Sequence, residues 1–352
     1  MQNEVKTPYK YFAAANGYGG FRSYFDEIFD SRDYDRIFVI KGGPGTGKSS
    51  LLKKIANDFF DKGLFVEAIY CSSDNNSLDG VIIEKDGKRV ALIDATAPHE
   101  RDAKVPGAID TIINLGEMWN EEQLTKSRDL ILNLNEKKKI AYRDAYDYLE
   151  IIGYIDRKIA ADYKSNNYYQ KVIDEADSFA NENFRLSCSG KRTRLTSAFN
   201  RQGYTSLDTL QKVADKTVRV SGDGVSEYIY MSALKRASDR IGTAYTASPS
   251  PFSDDITEEL YFPELSLTVS THKSANNTID TSRLVTRRLP ANSSFGLEKS
   301  REIMLSYAKD AFTTASELHF KLEKIYTAAM DFEKLNQIIL EIEEQITDIL
   351  GM

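Results

Sequence analysis

The sequence predicts an α/β chain of two tandem parallel-sheet repeats, the second degenerate, each followed by a long helical hairpin extension. Three observations predict it. A glycine-rich run, Gly42-Gly43-Pro44-Gly45-Thr46-Gly47-Lys48-Ser49, lies between a β-branched apolar stretch and a segment with helical apolar spacing. Short similarities recur in the same order in both halves of the chain. Two further stretches place apolar residues at alternating three- and four-residue steps. The expected boundaries are 1–116 for the first core and 117–186 for its extension, then 187–296 for the second core and 297–352 for the last extension.

In the first core, Arg36-Ile37-Phe38-Val39-Ile40-Lys41 reads as a buried strand, and Ser50-Leu51-Leu52-Lys53-Lys54-Ile55-Ala56 as a helix. The run between them fits G-x-x-x-x-G-K-[ST], the phosphate-binding loop of P-loop NTPases, in the required strand–loop–helix context. Its glycines let consecutive backbone N–H groups turn inward around a phosphate, and the helix N-terminus adds partial positive charge. The expected nucleotide-binding set is Gly42, Gly43, Pro44, Gly45, Thr46, Gly47, Lys48, Ser49 and Ser50. Lys48 is the candidate for the β- and γ-phosphates, and the Ser49 hydroxyl for Mg²⁺. The chain lacks the [NT]-K-x-D guanine-reading motif, so ATP is the expected nucleotide.

Val90-Ala91-Leu92-Ile93-Asp94 is an apolar strand ending in a carboxylate. Asp94 is therefore the second candidate metal residue, acting on Mg²⁺ through water. The next residue is Ala95, where many ATPases carry a water-orienting glutamate; His99 and Glu100 are the nearest candidate catalytic substitutes, with turn and packing roles as the alternative. The strand Leu64–Tyr70 leads into Cys71-Ser72-Ser73-Asp74, at the strand ends that line ligand crevices in open α/β sheets. Ser72, Ser73, Asp74 and Asp79 are candidates to approach the γ-phosphate, an acceptor or water; a plain capped loop is the alternative. Cys71 reads as a buried thiol.

The internal similarities begin with Phe12-Ala13-Ala14-Ala15 and Gly20-Phe21-Arg22-Ser23, matched by Leu195-Thr196-Ser197-Ala198 and Gly203-Tyr204-Thr205-Ser206. Arg36–Lys41 matches Lys216–Ser221, Ile109-Asp110-Thr111 matches Ile279-Asp280-Thr281, and Ser127–Leu132 matches Ser300–Leu305. Ordered matches of this kind indicate duplication. In the second copy Asp223-Gly224-Val225-Ser226-Glu227-Tyr228-Ile229 replaces the phosphate loop: the lysine is gone, two carboxylates repel phosphate, and Val269 falls near the position of Asp94. That copy is expected to be a pseudo-site. Arg287 and Arg288 are candidates to supply a cation from it to the first site, with solvated or salt-bridging roles as the alternative.

In the first extension Ile131, Leu134, Ala141, Ala145, Tyr148, Ile152, Ile155 and Ile159 form one seam, broken at Lys138. Ser165-Asn166-Asn167 marks a turn and Val172, Ile173, Ala176, Phe179 and Ala180 a returning helix. The second extension, from about Leu297 to Leu350, repeats the pattern with a break near Met330-Asp331. Tyr142, Tyr146, Tyr148, Tyr154, Tyr163, Tyr168 and Tyr169 of the first extension read as packing residues on a hairpin, with stacking on nucleic-acid bases as the alternative, and the extensions are the candidate surface for a protein partner.

Composition bounds the rest. The chain has 352 residues, 41% of them hydrophobic and 28% charged, with a net charge of −7. That balance argues against nucleic acid and anionic membranes as partners. Cys71 and Cys188 form no disulfide framework or metal motif, no stretch is long and apolar enough to span a bilayer, and Met1–Lys6 lacks a signal pattern. The expectation is a cytoplasmic protein.

Four motifs together resemble a known family: Phe12-Ala-x-Ala with Gly20-Phe21; Gly42 to Ser50; Cys71-Ser-Ser-Asp with Ser77-Leu78-Asp79-Gly80; and Asp94-x-Thr-Ala-Pro-His99. This is a group of duplicated P-loop ATPases, sometimes labelled nucleotide kinases, of low-GC Gram-positive bacteria. The family pattern has glycine at Ala95, and its second copy often carries a working loop; both differ here. The resemblance covers essentially the whole chain and implies an ATP-binding bacterial cytosolic protein. The functional expectation is slow, Mg²⁺-dependent ATP hydrolysis at one site. A kinase moving phosphate to a nucleotide or small acceptor is the first alternative. A non-enzymatic ATP-gated interaction protein is the second.

Overall fold

The computed structural model describes residues 4–98, 100–164, 169–187, 190–272, 277–285 and 291–352, except the side chains of 162–164 and 291–295. Among them the chain forms an α/β fold with two six-stranded mixed sheets and long helices. It divides into two compact units that interleave along the sequence. The first takes residues up to Ala14, Phe21–Ala145 and those from Asp310 on; the second takes Ala15–Gly20 and Tyr146–Lys309.

The first unit opens with β1 (Tyr9–Phe12) and carries part of a hairpin of β2 (Ala14–Gly17) and β3 (Gly20–Ser23). After the single-turn α1 (Phe25–Ile28) come β4 (Arg36–Lys41) and α2 (Lys48–Asp61). Ile37, Phe38, Val39 and Ile40 of β4 are wholly buried, as expected of a strand covered on both faces. Leu51, Leu52, Ile55, Ala56 and Phe59 put the apolar face of α2 into the core, with burial of each large side chain contributing about 1.5–3 kcal/mol. Next are β5 (Phe65–Tyr70), β6 (Leu78–Lys85), β7 (Lys88–Asp94) and β8 (Asp110–Asn114). The sheet order is β1-β5-β6-β7-β4-β8.

The sheet is not the wholly parallel one expected. β6 runs antiparallel to both β5 and β7, while β1–β5, β7–β4 and β4–β8 are parallel. The cause lies in the connection: Asp86 (φ 52°) and Gly87 (φ 83°) make a two-residue reversal between β6 and β7. Consecutive positive φ values at Asp-Gly define the tight turn that joins antiparallel, never parallel, neighbours.

After β8 come α3 (Glu121–Lys126) and the long α4 (Arg128–Lys164), whose N-terminal part up to Ala145 stays with the first unit. Leu134, Ala141, Ala145, Leu149, Ile152 and Ile155 are its buried seam, and Leu134, Ala141, Ala145, Ile152 and Ile155 are on the expected stripe. The expected turn at Ser165-Asn166-Asn167 lies outside the described residues.

The second unit contains the rest of α4, α5 (Gln170–Asn183), β9 (Arg192–Thr193), β10 (Ser197–Asn200), β11 (Gly203–Ser206), α6 (Thr209–Val213), β12 (Lys216–Ser221) and α7 (Ser226–Ile241). Then follow β13 (Thr246–Pro249), β14 (Thr257–Phe262), β15 (Leu267–Ser270) and β16 (Asn277–Asp280). Its sheet, read β9-β13-β14-β15-β12-β16, has the same connections and the same parallel and antiparallel neighbours as the first. Val172, Ala176 and Ala180 of α5 share one apolar cluster with Tyr230, Met231, Leu234 and Ala237 of α7.

The last helices are α8 (Ala291–Ala328) and α9 (Phe332–Leu350). From Asp310 on they belong to the first unit, where Leu335, Ile339, Ile342, Ile346 and Leu350 bury one face of α9. The break expected near Met330-Asp331 falls between them, and the Asp331 carboxylate caps α9 by accepting from the N–H groups of Glu333 and Lys334.

Candidate phosphate-binding site

The Gly42–Gly47 loop leaves the carboxyl end of β4 and enters α2 at Lys48. Gly45 (φ 71°) and Gly47 (φ 84°) take left-handed backbone, a conformation glycine adopts without steric cost. The turn is tightened from within, since Thr46 Oγ1 donates to the Gly43 carbonyl at 2.9 Å. Lys48 folds over the loop and donates from Nζ to the carbonyls of Gly42 at 2.8 Å and Gly43 at 2.7 Å.

Strand register brings the acidic partner alongside. β4 and β7 are adjacent and parallel, with Ile40 opposite Asp94. Asp94 Oδ2 consequently lies 3.6 Å from Lys48 Nζ, with only 12% and 11% of the two side chains exposed. The other oxygen, Oδ1, is held by Thr96, which donates from its backbone N–H at 3.1 Å and from Oγ1 at 2.5 Å. Ser49 is oriented from a different direction: its Oγ accepts from the N–H of Leu78 at 3.0 Å. That bond draws the Cys71–Asp79 segment to the loop.

Cys71–Ser77 is a closed turn, with Cys71 N–H donating to Ser77 O and Asp74 Oδ1 accepting from Asn76 N–H. Ser72 and Asp79 are buried. Burial, reinforced by the nearby Asp79 carboxylate, pushes the Cys71 thiol well up, so the residue is a poor nucleophile. Lys41 Nζ donates to the carbonyls of Ala95 at 3.0 Å and Arg101 at 2.7 Å, tying the segment after Asp94 to β4. Arg101 is buried, donates to Phe29 O and to Ser31 Oγ, and pairs with buried Asp110 at 3.9 Å.

Of the residues predicted from sequence, Gly42–Ser49, Asp94 and the Cys71–Asp79 turn thus meet at one end of the first sheet. Glu100 is exposed, and among the described residues nothing fixes it against the loop. His99, Arg287 and Arg288 lie outside the described residues.

A second layer was not foreseen. The α8–α9 corner packs on the outside of the loop. A Cβ at Gly45 would lie 2.5 Å from the Glu323 carbonyl oxygen, and one at Gly47 2.6 Å from Leu335 Cδ2. Thr327 Oγ1 donates to the Gly45 carbonyl at 3.2 Å. Trp119 abuts Gly43 and lies 5.4 Å, ring to ring, from Tyr326. The contacts of Gly45 and Gly47 join residues some 280 positions apart in sequence, and no local pattern announces them.

In the corresponding loop of the second unit, the carboxylates turn inward. Glu227 accepts from the Gly224 N–H at 3.1 Å, and Asp223 Oδ1 from the N–H groups of Ser226 at 2.9 Å and Val225 at 3.3 Å. The backbone donors that would cradle a phosphate are therefore taken by the loop's own side chains. Burial, with Asp223 nearby, raises Glu227 above its ordinary value. Register also corrects two sequence equivalences. Arg219 pairs with Ser270, so Thr271, not Val269, stands where Asp94 does. Ser221 pairs with Asp280 as Lys41 does with Asn114, shifting the Ile109–Thr111 match by four residues.

Beside Thr271 is a buried polar cluster. His272 Nε2 lies 3.1 Å from the Tyr204 hydroxyl and 3.4 Å from Glu258 Oε2, and its Nδ1 is 3.5 Å from Glu259 Oε1. Burial works to lower the imidazole, but the hydrogen bond to Glu258 and the charges of both glutamates carry it above its ordinary value. Among the described residues, no three His, Cys, Asp or Glu side chains gather to hold a metal on their own, and no helix is long and apolar enough to cross a membrane.

No family model, curated protein or solved structure matches the chain.

Proposed function

We propose that the chain is a duplicated P-loop ATPase that binds ATP at a single Mg²⁺-dependent site in the first unit and hydrolyses it slowly without a partner. The observation that carries this reading is the position of Lys48. Its ammonium closes the mouth of a glycine-rich loop at a helix N-terminus, 3.6 Å from a strand-end carboxylate. The identical strand order of the two sheets supports duplication. The internally satisfied Asp223–Glu227 loop supports loss of the second site. A cytoplasmic location is part of the proposal, resting on composition alone.

In this reading the loop N–H groups and Lys48 hold the β- and γ-phosphates, with Lys48 releasing the Gly42 and Gly43 carbonyls to do so. The oxygen donors suit Mg²⁺: Ser49 Oγ, already accepting from Leu78, keeps a lone pair, and Asp94 keeps Oδ2 outside the grip of Thr96. When bound, Mg²⁺ neutralises charge across the phosphates. Ala95 is wholly buried and offers no base beside Asp94, which is the reason turnover is slow. The same observation favours a second reading, phosphoryl transfer to a nucleotide or small acceptor, where the acceptor replaces water.

The test is ATP binding and phosphate release by the parent protein and Lys48→Ala, repeated with a panel of nucleoside monophosphates. Binding lost in the variant, with slow release in the parent, supports the ATPase. Transfer to one acceptor supports the kinase. Equal binding by both proteins removes Lys48 from the site and overturns the proposal.

A further inference from the structure

The contacts between the phosphate loop and the α8–α9 corner carry a consequence that rests on the nucleotide reading above. Three parts of the loop touch the corner at once. Gly45 lies under the last turns of α8, at Glu323 and Thr327; Gly47 lies under Leu335 at the start of α9. Gly43 lies against Trp119, itself packed on Tyr326. The corner is also stitched to the chain just after β8. Asn120 N–H donates to Ala329 O at 2.8 Å and Asp331 N–H to Met118 O at 3.0 Å, around a bridge between Trp119 and Met330. Since Asp331 also caps α9, the residues between the two helices have little freedom of their own.

The loop is packed so closely against the corner that even a Cβ at Gly45 or Gly47 would collide with it. The Gly42 and Gly43 carbonyls are bound by the Lys48 ammonium. A phosphate that draws Lys48 away frees both carbonyls, and the loop must re-form around the anion. Gly43 presses on Trp119, and Gly45 both presses on α8 and accepts from Thr327, so re-formation alters the contacts that seat the corner.

We propose that the α8–α9 corner is the built-in sensor of the phosphate loop: occupancy by a nucleoside triphosphate is transmitted through Gly43, Gly45 and Gly47 to Glu323–Leu335, and so to the C-terminal helices. Coupling of this kind is reciprocal. A change at the corner alters nucleotide affinity by the same factor that the nucleotide alters the corner.

The experiment uses the full chain. Amide hydrogen exchange of the segment 320–335 is measured with and without Mg²⁺-ATP, and ATP affinity is measured separately for the parent and for Thr327→Val, which keeps shape but removes the hydroxyl donor. Leu340→Ala, on the exposed face of α9, is the control for a general effect of mutation on the helices. The expected result is altered exchange across 320–335 on ATP binding, with ATP affinity changed about fivefold or more in Thr327→Val, the low end of typical coupling, and unchanged in Leu340→Ala. If ATP binds while exchange at 320–335 and the affinity of Thr327→Val both stay as in the parent, the sensor is overturned and the nucleotide site stands. If the parent binds no nucleotide, both fall. If Leu340→Ala shifts affinity as much as Thr327→Val, the effect is not specific to the corner and the sensor is again overturned.

Discussion

Lys48 and Asp94 face each other across 3.6 Å, one on the first turn of α2 and the other at the end of the neighbouring strand β7. Neither charge is left isolated: the ammonium also holds two loop carbonyls, and the carboxylate also holds Thr96. Lys48→Ala removes the cation while leaving the α2 core untouched. Charged hydrogen bonds contribute about 1.5–3 kcal/mol each, so ATP affinity should fall at least tenfold, and because the nearly buried Asp94 carboxylate loses its cation the melting temperature should fall as well. Calorimetric titration and thermal melting of the same preparation check both halves.

Thr96 fixes which oxygen of Asp94 is spoken for. Thr96→Val removes the Oγ1 donor and leaves the backbone N–H, so the carboxylate gains rotational freedom. The gain in ATP affinity on adding Mg²⁺ should shrink several-fold, while affinity without Mg²⁺ stays as in the parent. Thr96→Ser, which restores the hydroxyl, should recover it. Equal Mg²⁺ dependence in all three proteins would give Thr96 a purely local role.

Binding stoichiometry follows from the occupied donors of the second loop. With Glu227 and Asp223 on the N–H groups of Gly224 and Ser226, one ATP should bind per chain. Equilibrium dialysis should give one in the parent and none in Lys48→Ala; a value of two would reopen the second site.

Arg101 and Asp110 are 2% and 0% exposed in their side chains. Truncating one member of such a pair strands the other charge without water, which costs about 3–5 kcal/mol. Asp110→Ala should lower the stability of the first unit by that amount, as read from urea unfolding. It should also loosen the 100–110 segment that follows the Asp94 strand.

The His272 cluster predicts a pH dependence with a definite sign. Glu258, Glu259 and Tyr204 face the imidazole, with Asp208 contributing from farther off, and the folded state raises its proton affinity. A group raised on folding contributes stability that is complete below its unfolded value of about 6.5 and is lost as pH rises through the folded value. Burial raises Glu259 too, which acts in the same direction at lower pH. Denaturant midpoints should fall from pH 6 towards pH 9 in the parent. The slope should flatten in His272→Gln.

Much of this was legible in the residues because it is local. Strand β4, the loop and α2 follow from a β-branched run, a glycine spacing and a helical stripe, each within a few residues. The antiparallel β6 was also within reach, since Asp86-Gly87 between two apolar runs is a hairpin signal; reading Ser77–Gly80 only as a motif hid the strand behind it. Register errors at Val269 and at Ile279–Thr281 arose because matching letters do not measure how far a strand slides past its neighbour. The Thr327–Gly45 bond and the Trp119–Tyr326 pair were illegible for a plainer reason: they depend on which core a distant helix chooses.

That choice sets a timetable. The phosphate loop is made well before Thr327 and Leu335, which seat against it from some 280 residues further along the chain. At about 5–20 residues per second the interval is roughly 15–60 seconds. Through that time the loop lacks its contacts with Glu323, Thr327 and Leu335, so on the proposed reading a nucleotide captured by the nascent chain arrives before α8 and α9 do.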